Sequence, residues 1–174
     1  LIRKYPKYQG GYIWDFVDQG LRDKSPITGK EIFTYGGDYG RYPASDYNFN
    51  CNGIIAPDRR LNPHAYEIQY WHQNVWIKDL DAVKGAFNIY NENFFKNIDD
   101  LHLTATIYAN GVKLSTVEIP ETKGIAPQTT KMVKSDALKY AIAEAETEHG
   151  KEEITVNITF ASDGTEPLVE KGQV

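Results

Sequence analysis

The sequence predicts an antiparallel β-sandwich preceded by a single βα step of a parallel α/β fold. Three observations lead there. Composition changes near residue 76. Short alternating strands separated by turn signals fill the second part. A strand-like apolar run, a long loop and a helix fill the first.

The change in composition is sharp. Residues 1–76 hold all three Trp, nine of the twelve Tyr and three of the seven Phe, with nine basic against eight acidic residues. Residues 77–174 hold 10 basic against 16 acidic residues and few aromatics. We divide the chain into residues 1–75 and 76–174. At 174 residues, 41% hydrophobic and 25% charged, it has ordinary globular composition and enough length for a sizeable core. A net charge of −5 gives no reason to expect nucleic acid. No apolar run reaches the length of a membrane helix, and the first nine residues lack the apolar core of a signal peptide. The chain starts at Leu1 and reads as cut from something longer. One cysteine, Cys51, excludes an internal disulfide.

In the first part, "LIRKYPKY" reads as a helix end broken by Pro6. Gly10 and Gly11 release the chain into a predicted strand over residues 12–17. That strand is apolar on both sides apart from Asp15, as a parallel strand covered on both faces would be. Residues 20–50 read mostly as loop, with "DKSPITGK" as turn chemistry. "YGGDYGRYPASDYNFN" is a long aromatic and polar loop of the kind that covers a site. Asn62 and Pro63 open a helix through "HAYEIQYWHQ", Asn62 as cap and Pro63 in the first turn.

In the second part, "LHLTATIY" alternates, with Leu101, Leu103, Ala105 and Ile107 on one face. Asn110-Gly111 is the strongest short hairpin signal, since a type I′ turn needs positive φ at both central positions. "VKLSTVEI" returns with a slip near Ser115-Thr116 that predicts a bulge. "GAFNIYN" and "EITVNITF" are further strands, the latter with Ile154, Val156, Ile158 and Phe160 facing in. "SDALKYAIAEAETEHGK" reads as a helix capped by Ser135, or else as a long sandwich connection.

Several candidate sites dissolve on inspection. Asp15 and Asp18 are an odd number apart on a strand, so they point to opposite faces and cannot share a substrate unless the strand has already ended. Their plain role is structural: Asp15 hydrogen-bonds within the fold and Asp18 caps the loop. Trp14 shares a face with Phe16, and spacing alone favours a core role for it over sugar stacking. Asp46, Asn48, Asn50 and Asn52 offer oxygens and N–H donors suited to a hard cation or sugar hydroxyls, but such residues also populate ordinary turns. His64, His72, His102 and His149 lack zinc spacing. Gly36, Gly37 and Gly40 are not followed by Lys-Ser/Thr, so they form no phosphate loop. "EAETEHGKEE" reads as a solvated face.

Taken together and in order, "YPKYQGGYIWDFVDQGL", "YGGDYG" and "NFNCNGIIAPDRRLNPHAYEIQY" resemble the large bacterial β-galactosidases of glycoside hydrolase family 2. The resemblance is specific over residues 5–70 and loose over 77–174. It implies that "GGYIWDFVDQ" is the eighth strand, and "PHAYEIQYWHQ" the eighth helix, of a (β/α)8 barrel. An immunoglobulin-like sandwich would follow. The family's retaining mechanism uses two glutamates, and the resemblance puts both outside this chain, leaving it no catalytic residue and no activity of its own. Trp14 then matches a tryptophan that packs against the apolar face of the galactosyl ring, which reverses the core reading. Phe49, through its carbonyl, and Asn52, through its side chain, match a monovalent-cation site (sodium, for example) that helps hold the sugar's 6-hydroxyl. The family's magnesium ligands fall outside this chain. Two departures stand out: one extra residue between Gly40 and Phe49, and "LNPH" where a Pro-His-Pro run is common. Because of the first, no role passes to Asp46.

The implied partners are a β-galactoside and the remaining domains of the same polypeptide, with the sandwich as a brace that adds contacts in a homo-oligomer. No nucleic acid or membrane is implied, and the compartment is left between bacterial cytoplasm and periplasm. One rival reading is a non-catalytic carbohydrate-binding or structural sandwich module. Another is a family-2 hydrolase of different specificity, a β-glucuronidase or β-mannosidase, although the Trp-Asp-aromatic-Val-Asp-Gln run points to the galactosidases.

Overall fold

The structure, a computed structural model, describes residues 1–40, 51–120 and 123–174. It is mostly β, with antiparallel sheets and two α-helices among the described residues. The chain separates into two compact units, Leu1–His72 and Gln73–Val174.

In the first unit, residues 1–8 form two successive turns: Lys4 and Tyr5 N–H both donate to the Leu1 carbonyl, and Tyr8 N–H donates to the Tyr5 carbonyl, all at 2.9 Å. The predicted helix end is therefore only a pair of turns, as Pro6 would impose. Residues 20–50 are less loop-like than expected. Strands β1 (Leu21–Lys24) and β2 (Glu31–Thr34) pair antiparallel, Leu21 opposite Thr34. The turn chemistry falls between them. Ser25 Oγ accepts from Ile27 and Thr28 N–H at 3.3 and 3.2 Å, and Gly29 takes a positive φ of 69°. A short 3₁₀ turn follows at Gly36–Tyr39, where the Asp38 carboxylate accepts from Tyr35 N–H at 2.8 Å.

The expected buried strand at residues 12–17 is not found. The segment bends at Trp14 and Phe16, and among the described residues it forms a single bridge, Val17 parallel to Ile55. Trp14 and Phe16 are 72% and 65% exposed. The reason is a shortage of neighbours. A strand covered on both faces needs strands beside it and helices over it. Among the described residues, the long-range backbone-to-backbone hydrogen bonds of residues 15–18 all go to residues 54–55: Ile54 N–H to Asp15 O, Ile55 N–H to Phe16 O and Asp18 N–H to Ile55 O, at 2.9–3.0 Å. Helix α1 (Pro63–His72) begins at the expected Pro63, with Ala65 N–H donating to the Asn62 carbonyl at 2.9 Å. None of its residues is buried within this unit.

The second unit is a β-sandwich with a helix. One sheet has the order β3 (Val75–Asp81), β4 (Ala86–Asn91), β7 (Thr129–Lys134). The other has the order β6 (Val112–Ile119), β5 (Leu101–Ala109), β8 (Ile154–Ser162). The β5–β6 hairpin turns at Asn110-Gly111, both with positive φ (46° and 78°) as a type I′ turn requires. Its bulge lies at Leu114: Ile107 pairs with Ser115 but Tyr108 with Lys113. The alternation in β5 is borne out, with Leu103, Ala105, Ile107 and Ala109 buried. Residues 136–149 are helical: α2 (Asp136–His149) is capped by Ser135 Oγ, which accepts from Leu138 N–H at 3.2 Å. The helix packs on the β6–β5–β8 sheet.

The core joins Phe87 and Ile89 of β4, Val133 of β7, Leu103 and Ile107 of β5, and Leu138 and Ile142 of α2. Ile154, Val156, Ile158 and Phe160 of β8 pack against it partly buried. Each such large side chain removed from water contributes about 1.5–3 kcal/mol. Asn91, Ser135 and Ser162 are buried polar residues of this unit, and Asn91 is the most deeply buried of them. Asn91, fully buried, donates to the Lys96 and Ile125 carbonyls at 3.0 Å and accepts from Asn93 N–H and Nδ2 at 3.0 and 2.9 Å. Its amide is thereby fully satisfied, which removes the desolvation cost of burying it. The C-terminal segment is fastened to the sandwich. Ser162 N–H donates to the Gln173 carbonyl and Gly172 N–H to the Ser162 carbonyl, both at 2.8 Å. Lys96 meets Asp100 at 3.1 Å and Glu166 at 2.5 Å.

Candidate sugar-binding cleft

The first unit carries a small, partly open depression lined by Trp14, Asp15, Gln19, Tyr35, Cys51 and Asn52; the space of about 170 Å³ between its walls includes open solvent. It falls far short of a pocket that encloses a small molecule, which runs to roughly 300–1,000 Å³.

Local chemistry explains how the lining is assembled. Trp14, Asp15 and Gln19 come from the segment that pairs with residues 54–55, and the Trp14–Asp15 peptide bond is cis. Tyr35 comes from the end of the β1–β2 hairpin, just before the 3₁₀ turn. Cys51 and Asn52 come from the irregular segment that passes residues 17–18. That crossing is very close: a Cβ on Gly53 would lie 2.1 Å from Asp18 N and 2.7 Å from the Val17 carbonyl carbon, so only glycine fits.

Four hydrogen bonds lock the crossing. Asp18 Oδ1 accepts from Gly53 N–H at 2.5 Å, and Asp18 Oδ2 accepts from Asn62 Nδ2 at 3.3 Å. The Gly53 carbonyl accepts from Asn62 Nδ2 at 3.0 Å and from His64 Nε2 at 2.8 Å. A carbonyl only accepts, so His64 carries its proton on Nε2. Asp18, Asn62 and His64 thus fix the peptide that follows Asn52. Asp18 does tie down a loop. Asn62 spends its side-chain amide on the clamp, and its main-chain carbonyl meets the helix. His64 acquires a role that histidine spacing did not reveal. The only signal in the sequence was the glycine after Asn52.

The two substrate-wall candidates, Trp14 and Asn52, line the same cleft. The Trp14 ring is largely exposed, so it fills no core. Phe49, the other cation candidate, lies outside the described residues, as do Asp46, Asn48 and Asn50. Asp15 and Asp18 point apart in function: Asp15 Oδ2 accepts from Gln19 Nε2 at 3.0 Å, while Asp18 holds Gly53. Burial, and then the negative charges of Asp18 and Asp15, push the Cys51 thiol above its ordinary pKa of 9.0. Among the described residues no group of three His, Cys, Asp or Glu could hold a metal. The lining offers amide and carboxylate oxygens, the Tyr35 hydroxyl and the Cys51 sulfur; the oxygens are the donors that suit an alkali ion.

A family model described as "Glycosyl hydrolases family 2, TIM barrel domain" matches residues 1–77, and one described as "Beta-galactosidase, domain 4" matches residues 87–174. A protein of Leuconostoc mesenteroides named beta-galactosidase is 33% identical over 174 aligned positions, covering 98% of this chain and 16% of that relative. Beta-galactosidases of Clostridium acetobutylicum and Halalkalibacterium halodurans are 44% and 41% identical over 108 and 115 residues. Those two matches cover 62% and 66% of this chain, and 12% and 11% of the relatives. The chain therefore spans a small part of the length of the proteins it matches.

Proposed function

Starting from the fact that this chain belongs to the β-galactosidases of glycoside hydrolase family 2, we propose that it supplies one wall of a galactoside pocket. The complete enzyme would remove terminal β-D-galactosyl residues with retention. The carrying observation is the exposed Trp14 ring, set beside Asn52 and Asp15 in one cleft. A flat apolar ring bordered by oxygen acceptors suits a pyranose, which has an apolar face and a rim of hydroxyls. Trp14 takes the face; Asn52 takes a hydroxyl at the rim.

The same reading gives Asn52 a second task, as one oxygen ligand of a monovalent cation, with the Phe49 carbonyl as another. The donor chemistry of the cleft supports an alkali ion, which would bridge protein oxygens to a sugar hydroxyl. Magnesium, if the whole enzyme uses it, takes ligands from elsewhere. The reacting acid and nucleophile also lie elsewhere, so the chain alone binds weakly and does not turn over. The second unit we read as immunoglobulin-like, a brace for the barrel and a surface for contacts between copies.

The test is a chimera. Replacing the aligned segment of the Leuconostoc mesenteroides relative with this chain is expected to keep hydrolysis of an aryl β-galactoside, while cleaving neither a glucuronide nor a mannoside. In the chimera Trp14→Ala is expected to raise KM about tenfold or more, the scale of one lost aromatic platform. The isolated chain is expected to show no hydrolysis and no saturable change in Trp fluorescence on adding galactose. Tight galactose binding by the isolated chain would favour a free-standing carbohydrate-binding module, and unchanged KM in Trp14→Ala would refute the sugar-wall reading.

A further inference from the structure

Resting on that sugar-wall reading, we propose that Asp15 and Gln19 form a hydroxyl-accepting pair that selects the sugar stacked on Trp14. Asp15 directly follows Trp14 in the chain, and both residues of the pair line the cleft. Asp15 Oδ2 accepts from Gln19 Nε2 at 3.0 Å. The donor has to be the amide NH₂, because a carboxylate only accepts. With its nitrogen committed to Asp15, Gln19 presents its other amide atom, the carbonyl oxygen, as an acceptor beside the carboxylate.

The pair is not built as a structural tie. Gln19 is exposed and Asp15 only half-buried, so the bond secures no core. Among the described residues Asp15 has no ion pair with Lys, Arg or His, and its Oδ1 has no hydrogen-bond partner. A carboxylate left with acceptor capacity at the edge of an exposed indole is suited to O–H donors. Hydrogen bonds from hydroxyl to carboxylate are charge-assisted and directional. Adjacent acceptors about one hydrogen bond apart would take neighbouring hydroxyls of one ring. A sugar that lacks one of those hydroxyls leaves an acceptor desolvated and unpaired, and that penalty discriminates more strongly than a missing contact does. Trp14 thus recognises that a pyranose is present, and Asp15 with Gln19 recognises which one.

The chimera described above allows the test. Asp15→Asn and Gln19→Met are measured beside Trp14→Ala, with thermal melting to compare folding. Substrates are an aryl β-galactoside and its singly deoxygenated analogues. Asp15→Asn is expected to raise KM for the parent galactoside about tenfold. It is also expected to abolish discrimination against one deoxy analogue, with the other analogues still distinguished. Gln19→Met, on an exposed side chain that leaves folding intact, is expected to give a smaller loss on the same or the adjacent hydroxyl. Unchanged KM and unchanged discrimination in Gln19→Met and Asp15→Asn, with KM raised in Trp14→Ala, would overturn this inference and leave the sugar wall standing. Unchanged KM in all three would overturn both. If Asp15→Asn melts early, Gln19→Met alone decides.

Discussion

Single residues carry the functional argument, and Cys51 offers a direct readout of their environment. Its thiol sits in the cleft, with its pKa raised by burial and by Asp18 and Asp15. A raised pKa leaves less thiolate at any given pH below it, and thiolate is the reactive form. Alkylation by iodoacetamide at about pH 8 is expected to be several-fold slower than for free cysteine. The rate should still be climbing where the free amino acid has levelled off. A rate equal to that of free cysteine throughout would mean that the aspartates do not face the thiol. Trp14 shows how far sequence reasoning reaches at this scale. Its apolar neighbours and position in a strand-like run favoured the core, and only the resemblance turned it toward sugar. Within this unit the ring is exposed, as the missing neighbours of residues 12–17 leave it, and the choice between the two readings falls to the chimera. The clamp of Asp18, Asn62 and His64 on Gly53 was not legible, because residues 35 and more apart in sequence meet there.

At the scale of elements, periodicity worked where burial was one-sided. β5 and β4 alternate because one face meets the core and the other meets water. β7 was missed because only Val133 of its six residues is buried, which leaves no alternation to detect. β1 and β2 are four residues each and largely exposed, too short and polar to stand out from their turn. The segment at 12–17 failed in the opposite way: its apolar content promised burial that neighbours in this unit do not supply. Helix α2 was legible from its cap. Ser135 Oγ satisfies Leu138 N–H, one of the four donors a helix start leaves open. Ser135→Ala is expected to cost about 1 kcal/mol, within a range of about 0.5–2. The check is the midpoint of urea unfolding. Ser135→Asp, which keeps an acceptor, should restore most of the loss; equal losses in both would assign the effect to packing of the buried serine instead.

For the molecule as a whole, the distribution of buried side chains sets the hierarchy of stability. Every member of the large core cluster lies in Gln73–Val174. In Leu1–His72, Ile55 and Thr34 are buried among the described residues. Residues 73–174 on their own are therefore expected to unfold cooperatively, with stability in the usual range of about 5–15 kcal/mol. Mild proteolysis of the whole chain should digest the first unit and leave the second. Absence of a cooperative melt in the isolated second unit would show that it depends on the first. The tail gives this unit an unusual asset. Lys96 grips Asp100 and Glu166, and although burial works against its charge, those two hydrogen bonds raise its pKa above 10.5. The charged grip thus persists at and below the ordinary lysine range and loosens only as pH climbs past it. The backbone bonds of Ser162 to Gln173 and Gly172 do not titrate, so a dye placed at residue 174 is expected to gain mobility in alkali while staying docked on the sandwich, an optical gauge of that single charged grip.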